Sequence, residues 1–233
     1  MNIACFRIHL RQTQRLLQKI ELLGDSNIEA GTFEPSEETK LASRGDDYYA
    51  LYESVQTNYD YEFRLQDGSY LQLAYLDEGL RYAFIESITE KLSFEDYILR
   101  EGLTMDEIRE MSEEDYNVYR ECYDAEVDSL KQKLFPLYIR YDYTKIKEEH
   151  VPNVHSSAHI HFGWHNKSRI PCSKVVTPEG FVCFVIKMYS PAKWKELMEK
   201  EIITSEDYNF KSNFEELGPE YWTKEEQRDL YLI

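Results

Sequence analysis

The chain has 233 residues, of which 42% are hydrophobic and 14% aromatic, with only nine glycines and seven prolines. This composition is sufficient for a packed core and argues against long disordered linkers. The formal net charge of −17 opposes long-range attraction to nucleic acid, since affinity for phosphates depends on lysine and arginine. It favours solubility or a basic partner.

The charge is unevenly distributed. Residues 101–130 carry eleven acids and two arginines, a net −9, whereas residues 131–175 carry eight lysines and arginines against three acids, a net +5. The basic segment can attract an anionic ligand such as nucleic acid, and the acidic segment can dock a basic protein. The simpler alternative is that the two regions neutralise each other in the fold.

The cysteines and the N-terminus indicate the compartment. Four cysteines form no C-x-x-C pair and fit no zinc-ribbon spacing, so they predict free, mostly buried thiols in a reducing compartment. Charged residues interrupt the apolar N-terminus, which argues against a signal peptide. The longest apolar stretch, 180–186, is too short to span a bilayer. We therefore expect a cytoplasmic protein without membrane association.

The first ninety residues predict a helix followed by a β-meander. Apolar residues recur at helical spacing over 7–23, and Gly24 stands at the expected C-terminal cap. Residues 25–47 are typical of a polar loop, and 48–56 fit either a helix or a strand. Over 59–88, polar and apolar residues alternate around two turn signals, which predicts three antiparallel strands.

The next segment, 93–131, is acidic and helical in pattern. Three residues are candidate N-caps because acids follow each of them: Ser93, Thr104 and Ser112. The last of these helices carries a tyrosine stripe along 116–123. Pro136 ends the segment.

The second half predicts two further strands and a core helix. Residues 137–143 and 158–165 alternate as strands do, with a loop of about 14 residues between them. Thr177 followed by Pro178 predicts the start of an apolar helix. A charged helix reaching about residue 200 and a short C-terminal helix, opened by a capping box, follow.

Together these elements predict an α+β fold, with a mainly antiparallel sheet, flanking helices and an acidic helical insert. The parts are residues 1–92, the insert 93–131, and 132–233, which completes the same sheet. We expect one domain overall, although the insert can form its own lobe.

The histidines are the most informative feature. Five of the six lie within sixteen residues: His150, His155, His159, His161 and His165. Residues two apart on a strand face the same side, so the strand pattern places His159, His161 and His165 on one face. Ile160, Phe162 and Trp164 then face the core. His150, His155 and His165 are expected to be peripheral, with the first two in a loop where they gate a site or are solvated.

A candidate site joins the two strands. Arg140 and Asp142 share one face of the first strand, and pairing of the strands brings both next to His159 and His161. Arg169 follows shortly afterwards and can reach the same place. Gly163 would let a ligand or another backbone approach closely.

Three interpretations of this site remain open. In a metal-free phosphodiesterase, His159 and His161 serve as base and acid, Arg140 or Arg169 stabilises the phosphate, and Asp142 orients an imidazole. In a metal-assisted hydrolase, the same two histidines and Asp142 bind a divalent metal. In the third, the histidines and the Arg140–Asp142 pair are structural.

The motif also carries a resemblance. Arg140-Tyr141-Asp142 followed by His159-x-His161-x-Gly163 resembles the R-Y-D…H-x-H pattern of TumE-like toxins of bacterial toxin–antitoxin modules. With Arg169-Ile170-Pro171 and the apolar helix, it is more similar to a family of uncharacterised bacterial proteins. The resemblance covers about residues 136–190. The toxins are much shorter, and they have Asn where this chain has Tyr143. It implies a nucleic-acid-directed toxin or effector, such as one of phage defence.

Two hypotheses from different classes follow. The first is an intracellular bacterial effector with a histidine-based phosphodiesterase site that acts on RNA, or on a small nucleotide. No cofactor is required, although a divalent metal is compatible with the residues. The second is a non-catalytic, antitoxin-like accessory subunit that docks a basic partner through its acidic surface.

Overall fold

The computed structural model describes residues 1–28, 34–89, 94–127, 133–165, 167, 169–204, 214–228 and 231. The described residues form an α+β fold, as predicted, with eight α-helices, a seven-stranded antiparallel sheet and a two-stranded sheet. The chain divides into two compact units, residues 1–86 with 137–233 and residues 87–136. Within the part of the chain that the structure covers, no helix combines the length and apolarity that crossing a membrane requires.

The strands of the large sheet are β1 (Leu23–Ser26), β2 (Phe63–Leu65), β3 (Tyr70–Leu76), β4 (Gly79–Ile85), β5 (Tyr138–Thr144), β6 (Ala158–Phe162) and β7 (Ile170–Pro171), and those of the small sheet are β8 (Lys174–Val175) and β9 (Glu215–Glu216). The helices are α1 (Ile3–Lys19), α2 (Glu37–Ala42), α3 (Tyr48–Asn58), α4 (Phe94–Arg100), α5 (Met105–Glu110), α6 (Glu113–Val127), α7 (Pro178–Tyr189) and α8 (Pro191–Glu199).

The large sheet is a meander in which each strand pairs with the next in chain order. The strands on either side of the insert, β4 and β5, are direct neighbours with seven residue pairs in register. The histidine strand therefore belongs to the same sheet as the N-terminal meander. This topology places three successive strands, β4, β5 and β6, side by side.

One face of the sheet forms the main core against α1 and α7. The apolar residues of the alternating strands point to this face, and they are buried together with residues of the two helices: Phe6, Leu10 and Leu17 of α1, Tyr82 and Phe84 of β4, Ile139 and Tyr141 of β5, Ile160 of β6, and Phe181 and Val185 of α7. The start of α7 is as predicted, since Thr177 accepts a hydrogen bond from the Gly180 N–H and Pro178 follows it.

The opposite face carries the polar residues, and α3 covers its end near Ile85 and Tyr138. The Tyr48 hydroxyl donates to the Glu86 carbonyl oxygen at 2.7 Å. The Trp164 ring lies 5.6 Å from the ring of Tyr48 and 5.1 Å from that of Tyr138. The prediction that Trp164 joins the main core is wrong. Strand β6 ends at Phe162, so the alternation no longer applies at residue 164.

The N-terminal elements differ from the prediction in their bounds. Helix α1 begins at Ile3, where the Asn2 side chain caps it by accepting from the Cys5 N–H, and ends at Lys19. Gly24 is not the cap of this helix, because it lies in β1, at the point between Leu23 and Asp25 where the pairing with β2 shifts register. The predicted loop contains α2, capped by Ser36, and the ambiguous segment is α3, capped by Asp47.

The acidic insert forms α4, α5 and α6. Aromatic side chains of α4 and α6 form a cluster within it. Phe94 contacts Tyr116 and Tyr123, with ring centroids 5.3 Å apart in each pair. The Thr104 capping box is present, and Ser112 accepts from the Asp115 N–H at 3.1 Å. The predicted cap Ser93 and the end of the last helix lie outside the described residues.

Two smaller predictions need correction. The four cysteines, all of which lie in the described residues, form no disulfide, but only Cys172 and Cys183 are buried, whereas Cys5 and Cys122 are exposed. The C-terminal capping box is present at Thr223, but the described residues that follow it form a 3-10 turn, Glu226–Arg228, rather than an α-helix.

The core makes one prediction about stability. The hydroxyl of the fully buried Tyr141 accepts a hydrogen bond from the Val176 N–H at 3.1 Å. Replacing Tyr141 by phenylalanine leaves this buried donor without its acceptor, so we expect a loss of about 1–2 kcal/mol in the free energy of unfolding. Urea denaturation measures the change. An unchanged midpoint would show that the hydrogen bond contributes nothing.

Candidate functional site

The register of β4, β5 and β6 sets the candidate site on the polar face. Asp142 lies between Arg81 of β4 and His159 of β6, and in the adjacent row Arg140 lies opposite His161. Side chains opposite each other or diagonal to each other on one face of a sheet are within contact distance. The site therefore joins five side chains from three strands.

Asp142 is the centre of the cluster. Its carboxylate accepts hydrogen bonds from Nε of Arg140 at 2.6 Å and from Nε of Arg81 at 2.8 Å. Burial by itself would raise the pKa of Asp142, but the two guanidinium groups outweigh it and hold the pKa below its usual range. Asp142 is therefore an anion at neutral pH and holds both arginines in place.

His159 is held as a neutral base. Its Nδ1 lies 2.7 Å from the Ser156 carbonyl oxygen, an acceptor that assigns the proton to Nδ1 and leaves the lone pair on Nε2. Burial lowers the pKa of His159 to about 4. The Nε2 atom lies 3.8 Å from Oδ2 of Asp142. The imidazole is therefore uncharged at neutral pH and can take up a proton through Nε2.

The other nearby histidines differ in access. His161 has Nε2 at 3.5 Å from Oδ2 of Asp142, and its side chain is 5% exposed. The ring of His155 lies 5.1 Å from that of His159, and Nδ1 of His155 lies 2.6 Å from the Glu149 carbonyl oxygen. This hydrogen bond leaves Nε2 of His155 for a ligand.

A cavity of about 590 Å³ opens over the cluster. Its lining includes six ionisable side chains of the cluster and its surroundings: Arg81, Arg140, Asp142, His155, His159 and Arg169. A second cavity of about 300 Å³ adjoins it, and Arg81 and Arg140 line both. The volume of the first is within the range of about 300–1,000 Å³ that is typical of small-molecule sites.

The structure brings together four of the six residues predicted for the site, namely Arg140, Asp142, His159 and His161. Arg169 is exposed and lines the same cavity. Gly163 is outside that lining. It has a φ of 85°, which glycine adopts without strain, and its N–H donates to the Tyr138 carbonyl oxygen.

Two of the other histidines have different surroundings from those expected. His165 does not share the face of His159, because β6 ends at Phe162 and His165 has a φ of 56°; its Nε2 contacts the Gly45 carbonyl oxygen. His150 is neither solvated nor at the cavity. Its side chain is buried, with Nε2 3.0 Å from Oε1 of the buried Glu226.

The sequence analysis missed Arg81 and placed His155 only at the periphery of the site. Arg81 alternates with the core residues Leu80 and Tyr82, so its orientation to the polar face was available from the pattern. Its position opposite Asp142 depends on the β4–β5 register. His155 was assigned to the periphery of the site, and the chain turn formed by the Val151–His155 bridge brings it beside His159.

The cluster also has the donor atoms of a metal site. Three residues each offer one ligand atom, and these atoms lie within 4.8 Å of one another: Asp142, His159 and His161. The carboxylate is, however, already bound to two guanidinium groups, and a divalent cation beside them would be repelled. The residues fit a hydrogen-bonded acid–base cluster better than a cation site.

The fold and site define an α+β protein with a histidine–aspartate–arginine cluster on the polar face of an antiparallel sheet. The model of an uncharacterized conserved protein family, DUF2290, matches residues 17–228. The chain therefore belongs to this family, which confirms the expected membership in a family of unknown function. No curated protein and no solved structure matches the chain, and the likeness to TumE-like toxins stays a resemblance of the motif.

Proposed function

We propose that the chain cleaves phosphodiester bonds that have a neighbouring 2′-hydroxyl group, by acid–base catalysis without a metal. One observation carries the proposal: a neutral His159, with its basic Nε2, lines a cavity together with Arg81 and Arg140. A base beside two fixed guanidinium groups suits a reaction in which negative charge builds up on phosphorus.

The proposed reaction uses His159 as the base. Nε2 of His159 takes the proton of the 2′-hydroxyl, and the 2′-oxygen forms a bond to phosphorus. The bond from phosphorus to the 5′-oxygen breaks, and that oxygen receives a proton from His155. The products are a 2′,3′-cyclic phosphate and a free 5′-hydroxyl. We assign the acid to His155 rather than His161, because His155 lines the cavity whereas His161 is buried outside its lining.

The arginines stabilise the phosphorane and Asp142 positions them. Asp142 binds each guanidinium through Nε, so the terminal nitrogens can point away from the carboxylate towards phosphate oxygens. Arg169, at the exposed part of the lining, adds a third positive charge. The proposal covers the chemical reaction and not a biological role, because a role as a toxin or defence protein is supported by the motif resemblance alone.

The test is an assay of the purified chain on two dinucleoside monophosphates that differ only in the 2′-hydroxyl. We expect the ribose form to yield a 2′,3′-cyclic phosphate at the same rate with and without EDTA, and the 2′-deoxy form to remain intact. Cleavage of both, or loss of activity in EDTA, would replace this mechanism by a metal-assisted one. Cleavage of neither would refute the proposal.

A second expectation concerns Arg81. Replacing Arg81 by glutamine should lower kcat/KM by about 10²-fold, since one of the cationic donors to the transition state is lost. The Arg81→Lys variant should retain only part of the wild-type activity, because an ammonium group lacks the planar fork of donors of a guanidinium group. Arg64→Gln is the matched control, as Arg64 is exposed on β2 and outside the cavity lining. Equal losses in both variants would argue against the role of Arg81.

The insert favours a second candidate function, a docking subunit. The unit formed by residues 87–136 exposes Leu134 and Phe135, at 77% and 92%, and it also contains the strongly acidic α5 and α6. A basic protein with an apolar contact would complement both features. If a partner co-purifies at low salt and is released at high salt, while no diester is cleaved, this function replaces the first.

A further inference from the structure

We infer that the substrate of the proposed reaction is a short diester of one or two nucleotides rather than a polynucleotide. This inference rests on the proposed function. Its basis is a difference in charge, because the residues that surround the cluster are acidic whereas the centre of the cluster is cationic.

The centre of the cavity is cationic and its rim is acidic. Arg81 and Arg140 share the single carboxylate of Asp142, so the centre has an excess of positive charge. Four further carboxylates line the same cavity: Glu34, Asp77, Glu78 and Glu149. Lys40 binds Glu34, so with Asp142 and Arg169 included, four carboxylates without a lysine partner face three guanidinium groups. One phosphate at the centre is attracted, whereas phosphates that extend past the rim meet negative charge.

The adjoining cavity offers no compensation. Lys40 in its lining is bound at 2.7 Å by both Glu34 and Glu37. These two carboxylates offset Lys40 and Arg44, so the positive charge in that cavity is that of the shared Arg81 and Arg140. A second phosphate of a long strand would therefore find no additional cation there.

The remaining features agree with a short substrate. Affinity for a polynucleotide comes mainly from lysines and arginines that release counterions along the strand, and this chain has a net charge of −17. The cavity of about 590 Å³ has the size of a small-molecule site. A short diester can place its phosphate at the arginines, and it has no further phosphates that would extend past the acidic rim.

The experiment compares a ribose dinucleoside monophosphate with a single strand of about 20 nucleotides that repeats the same step, over a salt series. We expect kcat/KM per susceptible bond to be at least as high for the dinucleotide, and the rate on the strand to gain nothing from lower salt. A strand preferred by more than about tenfold per bond, with a steep fall as salt rises, would overturn the inference and leave the proposed function intact. If neither is cleaved, the proposed function fails, and this inference fails with it.

A variant tests the cause. Asp77 and Glu78 are exposed in the turn between β3 and β4, at the rim. Asp77→Asn combined with Glu78→Gln should raise cleavage of the strand about three- to tenfold relative to the dinucleotide, because two repelling charges are removed. Cleavage of the dinucleotide itself should stay within about twofold. An unchanged ratio would contradict the exclusion of long strands by the rim.

Discussion

Replacing His159 by asparagine is expected to reduce kcat/KM for the ribose dinucleotide by about 10²–10⁴-fold, the usual contribution of a general base. Asparagine suits this test because its amide N–H can take the place of the Nδ1–H that donates to the Ser156 carbonyl oxygen. The variant thus keeps the local hydrogen bond and loses only the basic Nε2. Urea denaturation should show a nearly unchanged free energy of unfolding.

The pH profile gives an independent readout of the same residue. A base acts in its neutral form, so the rate should fall as the pH drops through the pKa of His159, which burial lowers to about 4. The acidic limb of kcat/KM is therefore expected near pH 4, well below the usual range of histidine.

His165→Asn is the matched control for His159→Asn, since His165 lies at the surface near Gly45. If the two variants retain similar activity, His159 is not the base.

Replacing Asp142 by alanine is expected to cost about 2–3 kcal/mol in the free energy of unfolding and to abolish activity. The variant leaves the guanidinium groups of Arg81 and Arg140 beside each other without their shared acceptor. Removing one partner of a buried ion pair typically costs about 3–5 kcal/mol. We expect less here, because the side chain of Arg81 is 51% exposed and solvent screens its charge.

The stabilisation by Asp142 also depends on pH. The pKa of Asp142 is lower in the folded protein than its ordinary value, so its contribution is complete above the ordinary carboxyl pKa of about 4 and is lost as the pH falls through the folded value. The wild type should therefore lose stability in acid more steeply than Asp142→Ala. The pair Lys174–Glu216, in which the glutamate is 72% exposed, supplies the control, and Glu216→Gln should change stability by less than about 0.5 kcal/mol. An equal cost for both variants would show that the central carboxylate has no special role.

Local patterns were sufficient for much of the fold. Alternation in 137–143 and 158–165 placed Arg140 with Asp142 and His159 with His161 on single faces, as β5 and β6 have them. The cap at Thr177 is also local, because it forms between neighbours in the chain. Such features depend on interactions within a few residues, so they can be recognised in the sequence.

Predictions failed where a regular element ended. The alternation of β6 was extended to Trp164 and His165, but positive φ values at Gly163 and His165 turn the chain away after Phe162. The positions of His150 and His155 in the preceding loop were likewise unpredictable. The first is held by Glu226, 76 residues away, and the second by the Glu149 carbonyl oxygen.

The sequence by itself thus determined the class of fold, the strands that carry the charged and histidine side chains, and the faces on which these side chains lie. Only the tertiary structure decided that Arg81 shares Asp142 with Arg140, that His155 rather than His161 lines the cavity, and that carboxylates surround it. The reason is physical. Side-chain direction along a strand follows from local backbone geometry, whereas the register of β4 on β5 joins segments separated by the whole insert and is selected by burial of one sheet face.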